Sequence, residues 1–376
     1  MPTSLDVVRD RLRTFADSEA AGESPLYAHL TSAAAEDDEV AALLTAAEPD
    51  DAKSVLLFLA AAHRLVLSDP VCALSRYYPS VGGDYGVDSQ TWPMFRSFVL
   101  DRADRMRELI AAHVTQTNEV RRAAMLYPAV ALAAKQAGAP IGLLEVGASA
   151  GLLLGLDRYG YRYQLAGGEQ ISVGPAKAPL VLHTRLDLAG RRKPPALPKK
   201  LAVAAKIGLD RRPVDLRDED QLAWLEACVW ADQPDRLRLF NMAAAAQTKQ
   251  RPELIAGDAV DDLAIAAERI PAELPLIVFH SHAITYLSPR RRTDFVAALH
   301  ELAARRPLWW ISLEDYSAAL VEVLPDRADL RWQDGHWQGG KLFSALGLVR
   351  WTDGKPAATA LARTTPHGDR LEWLAG

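Results

Sequence analysis

Several apolar runs in this sequence end in residues that can do chemistry. Leu143-Leu144 runs into Glu145, Leu209 into Asp210, Ile255-Ala256 into Gly257-Asp258, and Ile311-Ser312-Leu313 into Glu314-Asp315. A carboxylate at the end of one strand can accept both O–H groups of a ribose diol, and one on the next strand can take an exocyclic amine. A fifth run, Leu274 to Phe279, ends in His280-Ser281-His282. A neutral imidazole there offers a general base for an oxygen acceptor. Strand alternation puts His280 and His282 on one face, so both are expected to line the same site. A His-x-His metal pair is the other chemistry this spacing allows. The sequence offers no clear third ligand, and no metal is expected.

The stretch Pro140 to Tyr159 must position these groups. Ile141 to Val146 reads as a buried strand, Gly147-Ala148-Ser149-Ala150-Gly151 as a turn, and Leu152, Leu153, Leu154 and Leu156 as the buried side of a helix. Small turn residues let a ligand reach the backbone, and a helix N-terminus offers free N–H groups. The same five turn residues also satisfy the G-x-S-x-G elbow of α/β hydrolases. Ser149 is then the nucleophile, with Asp258 and His280 or His282 following in the order Ser, Asp, His. Only helices precede this turn, no upstream His-Gly-Gly loop accompanies it, and Glu145 and Asp210 have no role in that reading. A dinucleotide-binding reductase fits less well, because the third glycine is missing at its spacing. The non-enzyme alternative is a cofactor-binding regulatory domain, in which the nine tryptophans form an interface.

Residues 1–114 show helical patterns only, punctuated by loops, and are expected to form an all-α cap. Ser24-Pro25 reads as an N-cap with proline at the first helical position. A further helix is predicted from Thr115 to about Gln136, ended by Gly138. It leads directly into the first strand, so its start lies near the carboxyl edge of the sheet, where open α/β sheets bind ligands. Asn118 and Arg121 are therefore expected to contact substrate, with Glu119 and Arg122 beside them, and Tyr286 is expected in the acceptor wall. Residues 160–200 are irregular, with short strands at Tyr161–Leu165, Gln170–Val173 and Leu180–His183. They form an insertion that closes with the basic, proline-rich loop Arg191 to Lys200, read as a solvated excursion. From Leu201 strands and helices alternate, and a hairpin from Leu342 to Thr364 follows. The fold class is α/β: a doubly wound, mostly parallel sheet with an antiparallel last strand over residues 115–376, and the helical cap before it.

Glu145-Val146-Gly147-Ala148-Ser149-Ala150-Gly151 resembles the first motif of class I S-adenosylmethionine-dependent methyltransferases. Ile207-Gly208-Leu209-Asp210 resembles their second-strand acid, and Gly257-Asp258-Ala259 their third. The terminal hairpin is similar to their reversed last strand. The resemblance implies a Rossmann-like core with S-adenosylmethionine as cofactor and a small or medium-sized acceptor as substrate. It implies that Gly147, Ser149 and Gly151 line the methionine part and that Asp210 holds the ribose. Asp258 would face the adenine amine, and Glu145 would order the loop or reach the ammonium through water. Two features depart from it. About sixty residues separate the first motif from Asp210, where an adjacent unit needs about 20. The fourth strand ends Phe279-His280-Ser281-His282-Ala283, not in the Asp/Asn-Pro-Pro-Tyr/Phe pattern used on amino nitrogens, so O-methylation is favoured. The whole chain also resembles an uncharacterised bacterial family with a helical N-terminal region and this kind of core. Ser24-Pro25-Leu26-Tyr27, Thr117-Asn118-Glu119-Val120 and Trp224-Leu225 carry that resemblance.

Composition bounds the rest. A net charge of -5 argues against whole-surface attraction to nucleic acid or anionic membrane. Cys72 and Cys228 are the only two cysteines, too few for a disulfide framework. The N-terminus reads as an amphipathic helix and not as a signal peptide, and no run suits a membrane span, so a cytoplasmic location is expected.

Overall fold

The computed structural model describes residues 4–48, 53–190, 193–331 and 343–375. Asp51, Arg191, Arg192 and Leu342, which the sequence places in elements or loops, lie outside the described residues. In chain order the helices are α1 (Leu5–Thr14), α2 (Pro25–Ala34), α3 (Asp38–Ala41), α4 (Ser54–Ser68), α5 (Thr91–Leu100), α6 (Ala103–Ala112), α7 (Arg122–Ala137), α8 (Glu219–Ala227), α9 (Pro234–Lys249), α10 (Leu263–Glu268) and α11 (Pro289–Ala303). The strands are β1 (Ile141–Val146), β2 (Gly160–Leu165), β3 (Gln170–Val173), β4 (Val181–Leu188), β5 (Val203–Asp210), β6 (Glu253–Ala256), β7 (Leu276–Ser281), β8 (Leu308–Glu314), β9 (Ser344–Thr352), β10 (Lys355–Thr364) and β11 (Arg370–Trp373). No described helix is long and apolar enough to cross a membrane.

The chain divides into two compact units, Met1–Asn118 with Asp215–Asn241, and Glu119–Val214 with Met242–Gly376. The first is helical. Its core gathers Leu12, Phe15, Tyr27, Leu30, Phe58 and Phe95 with Trp224 and Trp230. The sequence reading drew one boundary at 114 and assigned 215–241 to the α/β part. Packing places that segment among the N-terminal helices instead. His113 stacks on Trp224 at 4.1 Å, and the Trp224 indole donates to Val114 O at 2.9 Å. Tyr27 packs against Trp230 with ring centroids 5.7 Å apart. The expected cap at Ser24 forms, its Oγ accepting from Tyr27 N at 3.0 Å and donating to Asp232 at 2.7 Å. Two of the motifs noted in the sequence, Ser24–Tyr27 and Trp224-Leu225, thus meet in one core.

The second unit is α/β. Its eleven described strands form one mixed, mostly parallel sheet in the order β3-β2-β4-β11-β10-β9-β8-β7-β1-β5-β6. From β6 to β8 all neighbours are parallel. Chain order reverses at β1, with β5 and β6 on one side and β7 and β8 on the other. β1 is buried at every residue, as a central parallel strand must be. Three features differ from the sequence reading. The predicted terminal hairpin forms as β9 and β10, but a third strand extends it into a meander: β9 runs antiparallel to β8, β10 to β9 and β11 to β10. The insertion is no appendage, since β2, β3 and β4 extend the sheet through a parallel β4–β11 pairing. The helix expected after the glycine turn shrinks to one 3-10 stretch, Leu152–Gly155. Tyr159 explains its end: the Oη donates to Leu152 O at 2.6 Å and fills the space beside Gly155, taking the carbonyl a longer helix would use.

The helix before β1 starts at Arg122, not at Thr115. Residues 113–119 are irregular, and Asn118 lies there with its Nδ2 on Gln116 O at 3.4 Å. The predicted stop at Gly138 holds, with a left-handed φ of 65°.

Candidate active site at the carboxyl edge of the sheet

Strand register assigns each candidate to a face. Glu145 pairs with Gly208 and Phe279, so Glu145, Asp210 and Ser281 share a face. The register continues through Ser281–Leu313, Leu313–Leu346 and Ser344–Thr364, which adds Ser344 and Thr364 to it. Helix α7 covers this face. Trp309, paired with Ile277, donates from its indole to Gln136 at 2.8 Å, and Tyr163 donates to Ala124 O at 2.8 Å.

The turn after β1 is built by backbone geometry. Gly147, Ser149 and Gly151 have φ of 75°, 49° and 67°. A Cβ at Gly147 would sit 2.4 Å from the Ala283 Cβ, so this position requires glycine. Asp210 holds the turn: Ser149 N–H donates to its Oδ2 at 2.7 Å and Arg212 N–H to its Oδ1 at 2.8 Å. A carboxylate offers about four acceptor positions, so Asp210 keeps capacity for two more donors. The buried Gln247 of α9 donates to Gly151 O and fixes the far end of the turn.

Glu145 is buried beneath the turn. Burial first, and then the nearby charge of Asp210, push its carboxyl well above the ordinary range, against a hydrogen bond from Leu154 N–H. Its Oε2 has no partner among the described residues. The proton carries a stability consequence. The folded state keeps it where the unfolded chain, with a carboxyl near pH 4.3, has released it. Stability should therefore fall as pH rises above that value toward the raised one. Glu145→Gln is expected to remove this decline. Guanidinium denaturation of both proteins from pH 5 to 9 checks it, and parallel pH curves would refute it.

Asp258 is occupied differently. Its carboxylate accepts from Arg211 at 2.8 Å, Arg291 at 2.5 Å, Val260 N at 2.9 Å and Asp261 N at 3.3 Å. Burial alone would raise its pKa, but these partners hold it below the usual carboxylate range. Its acceptor positions are filled, which leaves none for an adenine amine.

The histidines do not act as a pair. His280 is in register with Val146, so it lies on the face opposite Glu145, under α11. It is fully buried against Phe295 at 5.7 Å. Its Nε2 accepts from the Trp310 indole at 2.8 Å, and its Nδ1 meets Glu314 Oε1 at 2.8 Å. An indole N–H only donates, so Nε2 presents its lone pair and Nδ1 carries the proton to Glu314. Both nitrogens are committed, and His280 is a structural residue. His282 lies past the end of β7 with φ 52°, so alternation no longer applies to it. Its Nε2 is 3.0 Å from Ser344 Oγ at the start of β9. With His280 committed and no long helix after Ser149, the hydrolase arrangement loses one of its two candidate bases and its strand–turn–helix setting.

Glu314, named in the sequence only as a strand-end acid, organises this edge. It is fully buried and accepts from His280, from Ala283 N at 2.7 Å and from Ile284 N at 3.0 Å. Burial would raise its pKa, but the hydrogen bond from His280 and the loop N–H groups outweigh that and lower it. The remaining edge comes from the start of α7 and the turn after β10. Arg122 donates to Pro366 O at 3.0 Å, His367 Nδ1 lies 3.8 Å from Glu119 Oε2, and a Cβ at Gly368 would come within 2.9 Å of Arg121. Tyr286 is 62% exposed and forms no buried wall. Ser344 and Thr364 carry no signal in the sequence, because Ser and Thr within strands form no motif, and His367 is a lone histidine in a turn. Among the described residues no group of three metal-ligating side chains comes together.

A sequence profile for a family described as an uncharacterized protein conserved in bacteria (DUF2332) matches residues 9–373. No curated protein matches the chain.

Proposed function

We propose that this chain, which belongs to that bacterial family, binds S-adenosylmethionine and transfers its methyl group to an oxygen of a small acceptor. The carrying observation is the pairing of Glu145 and Asp210 on one face, beside a glycine turn at the point where strand order reverses. Open α/β sheets bind nucleotide ligands at that point. The residues fit the cofactor in two respects. Asp210 retains acceptor capacity for a ribose diol, and Glu145 offers a buried, unpartnered oxygen beneath the turn. The meander after β8 and the filled carboxylate of Asp258 are departures from the methyltransferase pattern. The adenine must then find its polar partners elsewhere.

The cofactor supplies a sulfonium-bound methyl group for in-line displacement. The protein's part is to hold two reactants in line at the carboxyl edge. Gly147 and Ser149 let the backbone approach, Asp210 fixes the turn, and His282 with Ser344 borders the acceptor side.

Calorimetric titration with S-adenosylmethionine and S-adenosylhomocysteine tests the reading. Both should bind, and Asp210→Asn should weaken them about 10- to 100-fold, equivalent to ~1.5–3 kcal/mol for hydrogen bonds to a charged group. No heat and no thermal shift with either ligand would overturn it.

A further inference from the structure

Three polar groups along the carboxyl edge of the sheet, from β7 to β10, are left over by the fold. Thr364 is fully buried and its Oγ1 has no partner among the described residues; Ser281 is half-buried, and its buried Oγ likewise has none. Both lie on the α7 face. Arg121 is half-buried, and no partner of its guanidinium is found among the described residues. A buried polar atom without a partner calls for a ligand or an ordered water. A partly desolvated cation calls for an anion.

The three are linked by contacts. Arg121 and Arg122 are knitted to Pro366 and Gly368 of the turn that Thr364 enters. Thr364 pairs with Ser344, Ser344 meets His282, and Ala283 touches Gly147. An unpaired cation and two free hydroxyls therefore stand along the edge that leads to the cofactor turn.

We propose that this edge takes a small carboxylic acid, and that its carboxylate oxygen is the methyl acceptor. The inference rests on the methyltransferase reading and adds the substrate class. Guanidinium and carboxylate match in charge and fork geometry. One carboxylate oxygen is held by Arg121 while the other attacks the methyl carbon. The new C–O bond forms as the C–S bond breaks, and the electron pair of that bond returns to sulfur. The products are a methyl ester and S-adenosylhomocysteine. No proton moves, because the acceptor is already an anion. This suits a site whose buried histidine has both nitrogens committed elsewhere.

Ligand-observed NMR on the full chain with S-adenosylhomocysteine present tests this, using a defined set of aliphatic, aromatic and hydroxy acids and the matching primary amides. Acids should bind and amides should not. Arg121→Gln should weaken the bound acids at least tenfold and leave the calorimetric affinity for S-adenosylhomocysteine unchanged. Bound acids given methyl-labelled S-adenosylmethionine should yield label released as methanol by mild base. Failure of every acid to bind, equal binding of amides, indifference to Arg121→Gln, or base-stable label would each overturn the proposal. The calorimetric arm reports separately whether the cofactor reading stands. Arg121→Lys, which keeps the charge and loses the fork, should fall between the parent and Arg121→Gln.

Discussion

Glu314→Ala is expected to lower the unfolding free energy by about 3–5 kcal/mol, the usual cost of removing one partner from a buried charged network. The side chain is buried and answers to His280 Nδ1 and to the N–H groups of Ala283 and Ile284. Alanine would leave these donors, and the Thr285 N–H at 3.4 Å, without their acceptor. Glu314→Gln retains an oxygen for those donors and should cost less, about 1–2 kcal/mol. The two variants also separate by pH. The folded pKa of Glu314 is lowered, so its contribution is present above the ordinary carboxylate value and fades as pH falls through the folded one. Acid unfolding of the parent should be steeper than that of Glu314→Gln. Denaturant melts from pH 3 to 7 measure both effects. An alanine variant within about 1 kcal/mol of the parent would mean that the loop finds other acceptors.

The second large effect is expected at Gly147. Alanine there meets two separate costs. The left-handed φ of 75° costs a non-glycine residue about 1–3 kcal/mol. The new methyl would also fall 2.4 Å from the Ala283 Cβ, an overpacking cost of about 1–3 kcal/mol. Gly147→Ala should therefore lose roughly 2–6 kcal/mol. Adding Ala283→Gly should recover the steric part and leave the backbone part. Melting the parent, both single variants and the double variant gives the coupling energy directly. A coupling near zero would show that the turn shifts away from Ala283 without cost. The result also limits what Gly147 variants can say about ligands, since lost binding could follow from a collapsed turn. Asp210→Asn shares that ambiguity, because both oxygens of Asp210 hold turn N–H groups, whereas Arg121→Gln avoids it.

Much of the architecture was legible because it depends on local signals. The cap at Ser24-Pro25, the stop at Gly138 and the buried run Ile141–Val146 each follow from side-chain chemistry within a few residues. What could not be read depends on distant pairing. Whether His280 faces the same way as Glu145 is set by the Val146–His280 register, which no property of either strand reveals alone. The step from His280 to His282 looked like alternation, but the strand ends at Ser281 and His282 takes a left-handed turn. Trp230 carries no mark that it packs with Phe15 and Tyr27, far earlier in the chain. Asp210 and Asp258 read as equivalent strand-end acids. Only the structure separates one that braces a turn with acceptor capacity left from one already filled by two arginines.

The pairing of β4 with β11 carries a consequence for synthesis. Arg185 finds its neighbour only when Arg370 has been made, and a ribosome adding about 5–20 residues per second needs roughly 10–40 s to travel that distance. For that interval β4, with β2 and β3 behind it, has no place in the sheet. An unpaired strand edge is what chaperones guard and what aggregation exploits. Four late residues, Arg370–Trp373, thus close a sheet whose first strand left the ribosome long before, and the nascent chain stays dependent on protection until they emerge.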